Sequence, residues 1–324
     1  MQDWAAAISG LEATRPLRER LEAVLRLHDL ASETAEREPP VATLLPGLLA
    51  DGQEEIRRVA VSLAALVLPP EDAERVVAEQ LADPFAMVRM EAAGQLADMA
   101  RPSVRSALAR ALEDPAFAVR FEGARGMAAL HHSAGLEVLV EGLGKADFRF
   151  RALGALGQLG DERARLPVTK VFRRWFLSGF ERTQAAGTLA KLGEAEGARH
   201  LLERAGGRWH PDRPLAVELC GEVNAPGALP KLTAIVMDPK DDCRGAAARG
   251  LGRLGDPASG PLLISVLADE QSSDELRLDA AEGLCLLKHP DARAEAQRAL
   301  PLFLLDSSRA DLRTMMEEYS FGRA

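Results

Sequence analysis

The amino-acid sequence predicts an all-α solenoid of about eight to nine helix-turn-helix repeats. An arginine recurs at nearly constant spacing, and the same pattern of small and aliphatic residues follows each copy. Aromatic residues make up only 4% of the 324 residues. Runs of β-branched residues, which would indicate a sheet, are scarce.

The recurring arginine marks a repeat of 29 to 33 residues. Self-similarity at a fixed period of this size indicates a solenoid, in which each unit packs against its neighbours. The aligned arginines are Arg57, Arg89, Arg120, Arg149, Arg182, Arg213, Arg244 and Arg277.

Each arginine lies near the start of the second helix of its repeat. In RMEAAGQLADM, residues 89–99, small residues follow three and four positions after the arginine and a leucine follows at seven. This spacing places one apolar stripe along a helix, and its small residues let a neighbouring helix approach closely. A more apolar first helix precedes the arginine, as in PLLISVLAD at residues 261–269.

Two short motifs predict where the helices begin and end. An Asp-Pro pair precedes the second helix at Asp83, Asp114 and Asp238. We expect this pair to open the helix, because aspartate accepts hydrogen bonds from free N–H groups and proline suits the first helical position. The glycine of the Leu-Gly-Asp motif, at Gly160 and Gly255, should end the second helix.

The Asp-Pro turn, the Val-Arg pair and the Ala-Leu-Gly ending resemble the HEAT-repeat family over residues 41–289. The short period is most similar to that of phycobilin lyase-like proteins. The resemblance implies a right-handed α-α superhelix with the second helices on its concave face. It also implies a ladder of Asp–Arg contacts between stacked turns, so these arginines are predicted to be structural. Aspartates stand six residues before four of the arginines, at Asp51, Asp83, Asp114 and Asp238.

The two ends of the chain depart from the repeat and are predicted to cap it. Residues 1–40 contain an amphipathic helix at 16–30, a polar linker at 32–40, and Trp4 as an anchor. Residues 290–324 form a helix pair in which Arg309 continues the arginine spacing. We expect a cytoplasmic protein with three buried free cysteines, because neither a signal peptide nor a membrane span is present.

Composition and motifs indicate a binding protein rather than an enzyme. A net charge of −9 disfavours a dedicated nucleic-acid binder. The six histidines are not spaced as metal ligands, and HExxH, GxSxG and P-loop motifs are absent. We therefore predict no catalytic residue, no metal and no cofactor, with a protein or peptide as the partner.

The resemblance leaves an enzyme, or an auxiliary enzyme subunit, as the alternative function. HEAT-like deoxyhypusine hydroxylases bind iron through His-Glu pairs, and this sequence contains no His-Glu dipeptide. HEAT-like DNA glycosylases present aromatic residues on a basic surface. Trp175 and Trp209 beside Arg173 and Arg174 fit that pattern, but the overall charge does not. The phycobilin lyase-like similarity lies in structural residues, which do not carry activity.

A candidate site lies in the middle of the chain. The ladder aspartate is replaced by Leu143, Phe176 and Gly207, and residues 163–182 hold six basic residues and one acidic residue. Seven of the ten phenylalanines lie between Phe117 and Phe180. The alternative is ordinary repeat variation with aromatic side chains filling space. The predicted contact residues here are Arg173, Arg174, Trp175 and Trp209.

A second candidate surface follows the outward positions of the second helices. Both signs of charge occur there, a pattern that favours a protein partner with complementary charges, although a solvated face is the simpler interpretation. The predicted contact residues on this strip are Arg125, Arg151, Lys191, Glu218, Arg249 and Arg253.

Overall fold

The computed structural model describes residues 2–33 and 40–318, and every regular element in these ranges is a helix. The predicted fold class, an all-α superhelix of HEAT-like repeats, is confirmed. The chain divides into two compact units, Met1–Leu159 and Gly160–Ala324.

The described α-helices of the first unit are α1 (Gln2–Ser9), α2 (Leu17–Glu33), α3 (Leu45–Leu49), α4 (Glu54–Val67), α5 (Pro70–Glu79), α6 (Ala86–Met99), α7 (Arg105–Ala111), α8 (Phe117–Ala129), α9 (Leu136–Gly142) and α10 (Ala146–Leu159). Those of the second unit are α11 (Arg165–Phe172), α12 (Gly179–Lys191), α13 (Ala195–Gly206), α14 (Arg213–Glu222), α15 (Ala228–Met237), α16 (Arg244–Leu254), α17 (Gly260–Ala268), α18 (Asp274–Leu286), α19 (Ala292–Ala299) and α20 (Asp306–Glu318).

From α3 onward, each odd-numbered helix is the first of a repeat and the next even-numbered helix is the second. Within each unit the second helices pack side by side. In the second unit this packing brings backbone against backbone. A Cβ added to Gly221 would lie 2.4 Å from the carbonyl oxygen of Gly250, and one on Gly252 would lie 2.3 Å from that of Gly283. Glycines six and eight positions after the arginine therefore set the close spacing of α14, α16 and α18.

The aliphatic residue seven positions after the arginine lies in the core, as the spacing predicts. Leu96, Leu189, Leu251 and Leu284 are all buried. Trp4 packs against the apolar cluster at the N-terminal end, so its predicted anchoring role is confirmed.

Every arginine of the column donates a hydrogen bond to a backbone carbonyl at or just beyond the end of its own repeat's first helix. The last carbonyls of a helix lack intrahelical partners, and a cation there is favoured by the helix dipole. The arginine therefore caps one helix while belonging to the next. The donor and acceptor residues are Arg57 and Asp51, Arg89 and Asp83, Arg120 and Asp114, Arg149 and Leu143, Arg182 and Phe172, Arg213 and Ala205, Arg244 and Val236, Arg277 and Asp269, and Arg309 and Phe303.

The aspartates add a second bond that joins one repeat to the next. Arg57 holds the carboxylate of Asp83 through two hydrogen bonds of 2.7 and 3.0 Å. Arg89 holds Asp114 in the same way, at 2.6 and 3.0 Å. Burial opposes ionisation of Asp114, but the Arg89 guanidinium holds the pKa of that carboxyl below its usual range. The ladder between stacked turns is therefore present in the first unit.

In the second unit the ladder uses a different aspartate from the one that the spacing predicts. Arg213 binds the carboxylate of Asp241 through two bonds of 2.7 Å, and Asp238 instead receives Arg208. The turn from 238 to 243 is longer than the Asp-Pro turns of the first unit. The carboxylate facing the preceding arginine is consequently three residues further along the chain.

The predicted glycine ends of the second helices are confirmed, whereas the predicted capping of the second helix by the Asp-Pro pair is wrong. Gly160 and Gly255 end their helices with φ of +69° and +70°. Asp83, however, accepts a hydrogen bond of 2.8 Å from the N–H of Phe85, which precedes the first residue of α6. The aspartate closes a turn before the helix instead of capping it, since its carboxylate must also face the arginine of the preceding repeat.

Most of the predicted linker, residues 34–39, and the last six residues of the segment predicted as a C-terminal helix pair, 319–324, lie outside the described residues. The helix predicted at 16–30 corresponds to α2. The predicted segment boundaries at residues 40 and 290 stay predictions.

Removing Arg89 should destabilise the protein more than removing an exposed ion pair. Arg89→Ala leaves the part-buried carboxylate of Asp114 without its partner, at a cost of about 1–3 kcal/mol in the free energy of unfolding. Adding Asp114→Ala should cost less than the sum of the two single changes. Chemical denaturation of the four proteins of this cycle measures the coupling. The exposed pair Arg75 and Asp72 is the control, and strict additivity at Arg89 and Asp114 would disprove the ladder bond.

The three cysteine thiols should react slowly in the folded protein. Cys220, Cys243 and Cys285 are free and buried. Burial raises the pKa of Cys220 and of Cys285 to about 12, and it raises the pKa of Cys243 as well. The thiolate is the reactive form, so labelling by a thiol reagent at neutral pH should accelerate sharply on addition of denaturant. Rapid native labelling of all three thiols would show that the helix faces are wrong.

Candidate protein-binding surface

The charged strip on the second helices is largely occupied by ion pairs between neighbouring helices. In the first unit, Arg125 contacts Asp98 at 2.6 Å and Glu122 at 2.8 Å, while Arg151 on α10 contacts Glu122 at 2.7 Å. Glu122 itself is only 4% exposed. These bonds join α6, α8 and α10 through their outward side chains.

The same arrangement occurs on the second helices of the second unit. Lys191 on α12 contacts Glu222 on α14 at 2.6 Å. Arg249 on α16 contacts both Glu218 on α14 and Asp279 on α18. Among the predicted strip residues, Arg253 is exposed near the end of α16. A partner that engaged the other strip residues would have to compete with bonds that already hold the repeats together.

Three phenylalanines of the first unit, Phe117, Phe121 and Phe148, fill space, as the simpler interpretation proposes. The ring of Phe148 packs edge-on against Phe117 and Phe121, with centroids 5.0 and 4.8 Å away. Lys145 lies 4.5 Å and Arg120 lies 5.7 Å from the centroid of Phe117. These contacts occupy the position where Leu143 replaces the ladder aspartate, so ring packing and cation–π contacts join these repeats.

Four aromatic residues of the second unit are instead exposed. Trp175 is 87%, Phe176 93% and Trp209 94% accessible, and Phe180 is about half exposed. Phe172, the last residue of α11, is buried. Large apolar side chains displayed together in this way are typical of interaction surfaces. The sequence does not distinguish exposed from buried rings, because both groups lie near positions where the ladder aspartate is replaced.

Each exposed tryptophan occupies the same place in its turn. Residues 173–178 connect α11 to α12, and residues 207–212 connect α13 to α14. Both turns have six residues, and the tryptophan is the third, preceded by an arginine (Arg174 or Arg208). We call the surface formed by these two turns the turn edge.

The main chain of the first turn is fixed from both ends. Ser178 and Glu181 form a capping box at the start of α12. Arg182 donates to the carbonyl of Phe172 and, at 2.8 Å, to that of Arg174. Trp175 therefore projects from a backbone that is held on each side of it.

A buried carboxylate fixes the second turn and joins it to the first repeat of this unit. Asp212 is only 1% exposed and accepts hydrogen bonds from Thr183 on α12, at 2.5 Å, and from Arg204 on α13, at 2.8 Å. Burial opposes its ionisation, but these two bonds hold the pKa of Asp212 below its usual range. No sequence motif singles out this residue, because it takes the place of the missing ladder aspartate from a different position.

The structure brings four of the predicted contact residues together. Arg173, Arg174 and Trp175 share one turn, and Trp209 lies on the next. Arg173 forms an ion pair of 2.9 Å with Glu196 and remains largely exposed. The other six predicted residues lie on the strips of the second helices. Phe176 and Arg208 also belong to the turn edge, but they are not among the contact residues predicted from the sequence.

Comparison with known proteins decides the family. The family model for HEAT repeats matches residues 41–122, 75–152 and 212–285, more than half of the chain. The chain belongs to the HEAT-repeat family. This HEAT-repeat chain matches no curated protein sequence.

Several solved HEAT-repeat-like structures are similar to the chain. The complex of CpcE and CpcF of phycocyanin lyase from Nostoc sp. PCC7120 is 17% identical with a TM-score of 0.45, over 88% of this chain and 97% of that one. Human deoxyhypusine hydroxylase is 19% identical with a TM-score of 0.34, over 78% of this chain and 100% of that one. Kap121p bound to Nup53p is 13% identical with a TM-score of 0.40, over 92% of this chain and 39% of that one. These similarities assign no activity.

Two further findings concern residues 2–33 and 40–318. In these ranges, no three histidine, cysteine, aspartate or glutamate side chains converge as metal ligands. No helix there is both long enough and apolar enough to span a bilayer.

Stability near the turn edge should fall as the pH drops below neutrality. The ring of His200 packs at right angles to Phe172, with centroids 5.3 Å apart. Burial, assisted by Arg204 and Arg182, lowers the pKa of His200 below its usual 6.5. A depressed histidine pKa means that protonation favours the unfolded chain, so this contribution is present above about pH 6.5 and is lost as the pH falls through the folded-state pKa. Melting temperatures between about pH 7.5 and 5.5 should decline less in His200→Leu than in the parent. Equal declines would show that His200 does not contribute.

Proposed function

We propose that this HEAT-repeat protein is a non-enzymatic scaffold that binds a protein partner through the turn edge of its second unit. The observation that carries the proposal is the nearly complete exposure of Trp175 and Trp209 on two adjacent turns with fixed backbones. Exposed tryptophans next to arginines have the composition of binding hot spots.

The two candidate surfaces differ in what binding would cost. Engaging Arg125, Arg151 or Arg249 on the strips disrupts ion pairs between helices and leaves carboxylates such as Glu122 without partners. At the turn edge, a partner would bury the exposed rings of Trp175 and Trp209 without first breaking an ion pair between helices. We therefore place the primary contact at the turn edge and treat the strip residues as secondary.

The size of the aromatic side chains is sufficient for a useful affinity. A tryptophan can bury roughly 150–250 Å², and apolar burial contributes on the order of 25 cal/mol per Å². Much of that gain offsets the entropy lost on association. Hot-spot residues typically lower affinity by about 2 kcal/mol or more when truncated, so two such residues can dominate a moderate interaction.

The aromatic pair should be needed for partner capture but not for folding. Since Trp175 and Trp209 are exposed, Trp175→Ala with Trp209→Ala should leave the helical circular dichroism and the melting temperature nearly unchanged. We expect recovery of the partner, after affinity capture from the native cell and quantitative mass spectrometry, to fall at least roughly tenfold. Arg173→Glu with Arg174→Glu should act in the same direction.

Leu304→Ala with Leu305→Ala is the matched control. These leucines are 84% and 59% exposed in the corresponding turn of the last repeat, away from the turn edge. Their change should not reduce recovery of the same partner. Undiminished recovery with both well-folded turn-edge variants would refute the proposed surface.

A further inference from the structure

We infer that the partner docks as a short acidic segment in the polyproline II conformation, with apolar, apolar and acidic side chains at successive third positions. The docking row consists of Trp175, Trp209 and Lys240. This inference rests on the proposed function and specifies the chemistry of its partner.

The row arises from three consecutive turns of equal length. The turn of the next repeat, residues 238–243, also has six residues, and Lys240 is its third. Lys240 is exposed, like the two tryptophans before it. One position of the repeat therefore presents two aromatic rings and then a cation.

Side-chain bonds hold these three turns in register. Thr183 and Asp212 connect the first two repeats of the row. Arg208 contacts Asp238, and Arg213 holds Asp241 with two bonds of 2.7 Å. Because the turns precede second helices that pack side by side, equivalent positions are separated by about 8–10 Å.

That separation matches one conformation of a bound segment. A polyproline II segment rises about 3.1 Å per residue with three residues per turn, so every third side chain points the same way about 9.3 Å apart. Side chains on one face of a β-strand repeat at about 6.6 Å, which does not match. Side chains on one face of an α-helix repeat every seven residues, at about 10.5 Å. This distance is close to that of the polyproline II segment, so another property must distinguish the two conformations.

Hydrogen-bonding capacity separates the helix from the polyproline II segment. Arginine, lysine and the tryptophan indole offer only hydrogen-bond donors. A polyproline II segment has no internal hydrogen bonds, so its backbone carbonyls are free to accept, whereas most carbonyls of a helix are already occupied. A row of donors on aromatic platforms therefore favours the extended segment.

Charge determines the remaining feature of the segment. Residues 163–182 contain six basic residues and one acidic residue within a chain of net charge −9. Arg174 and Arg208 directly precede the tryptophans, and Lys240 ends the row. The turn of Lys240 also contains three aspartates: Asp238 and Asp241 are bonded to Arg208 and Arg213, and Asp242 is exposed. Acidic residues beside the two apolar anchors, and at the third anchor, match this distribution.

The test uses tryptophan emission from the full chain. The protein has three tryptophans, so in a Trp4→Phe background the emission reports on Trp175 and Trp209. The probes are the peptides Asp-Leu-Pro-Glu-Leu-Pro-Glu-Asp and its reverse, which place leucines three residues apart. We expect a saturable blue shift with at least one of them, weakened by added salt because exposed charges are screened.

Three controls make the test specific. A peptide of the same composition with leucines two residues apart, and one with lysine in place of every acidic residue, should bind at least about tenfold more weakly. Lys240→Glu should weaken the best peptide at least about fivefold, whereas Lys288→Glu, at an exposed lysine in a turn between repeats, should not.

Absence of a shift with both probes, equal shifts with the control peptides, or binding only of a longer helical peptide with leucines seven residues apart would overturn the inference. The proposed function is judged separately, by partner capture with the tryptophan double variant. If that capture is lost while the probes fail, the surface stands and only its ligand chemistry is wrong.

Discussion

The bond between the column arginine and the end of the preceding helix is the interaction on which the repeats depend. The bond lies within a single repeat. All nine described repeats contain it, from Arg57 to Arg309. It links the two helices of a pair and satisfies a carbonyl that would otherwise lack a partner. The aspartate varies because it has a different task, which is to join one repeat to the next. Where it is absent, packed rings in the first unit and Asp212 in the second take over that task.

The fold was predictable because periodic spacing is a property of the sequence itself. The arginine column, the small-residue stripe and the glycine stops all correspond to the observed helices. The direction of the ladder was less accessible. Spacing within one repeat pairs Asp83 with Arg89, yet the carboxylate of Asp83 binds Arg57 of the preceding repeat. In the same way, only the observed turn length shows why Asp241 replaces Asp238.

The candidate site was predictable in composition but not in placement. A concentration of aromatic and basic residues is visible in the sequence, and it includes two groups with opposite roles. Phe117, Phe121 and Phe148 pack against one another, whereas Trp175 and Trp209 extend into solvent. The outward charges of the second helices show the converse. The sequence pattern predicts that these charges face solvent and can contact a partner, but most of them form ion pairs with a neighbouring helix. Exposure of rings and pairing of charges both depend on tertiary contacts, which local patterns do not encode.

The ladder also has a consequence for the order in which the chain can fold during synthesis. Each column arginine needs only the preceding 5 to 10 residues to close its own helix pair. Its bond to the next repeat spans 26 residues for Arg57 and 28 for Arg213. A repeat can therefore fold as it leaves the ribosome. It can bind the next repeat as soon as the turn of that repeat has been synthesised, and no contact with a distant segment is needed. Assembly from the N-terminus then exposes no more than one unfinished apolar face at a time.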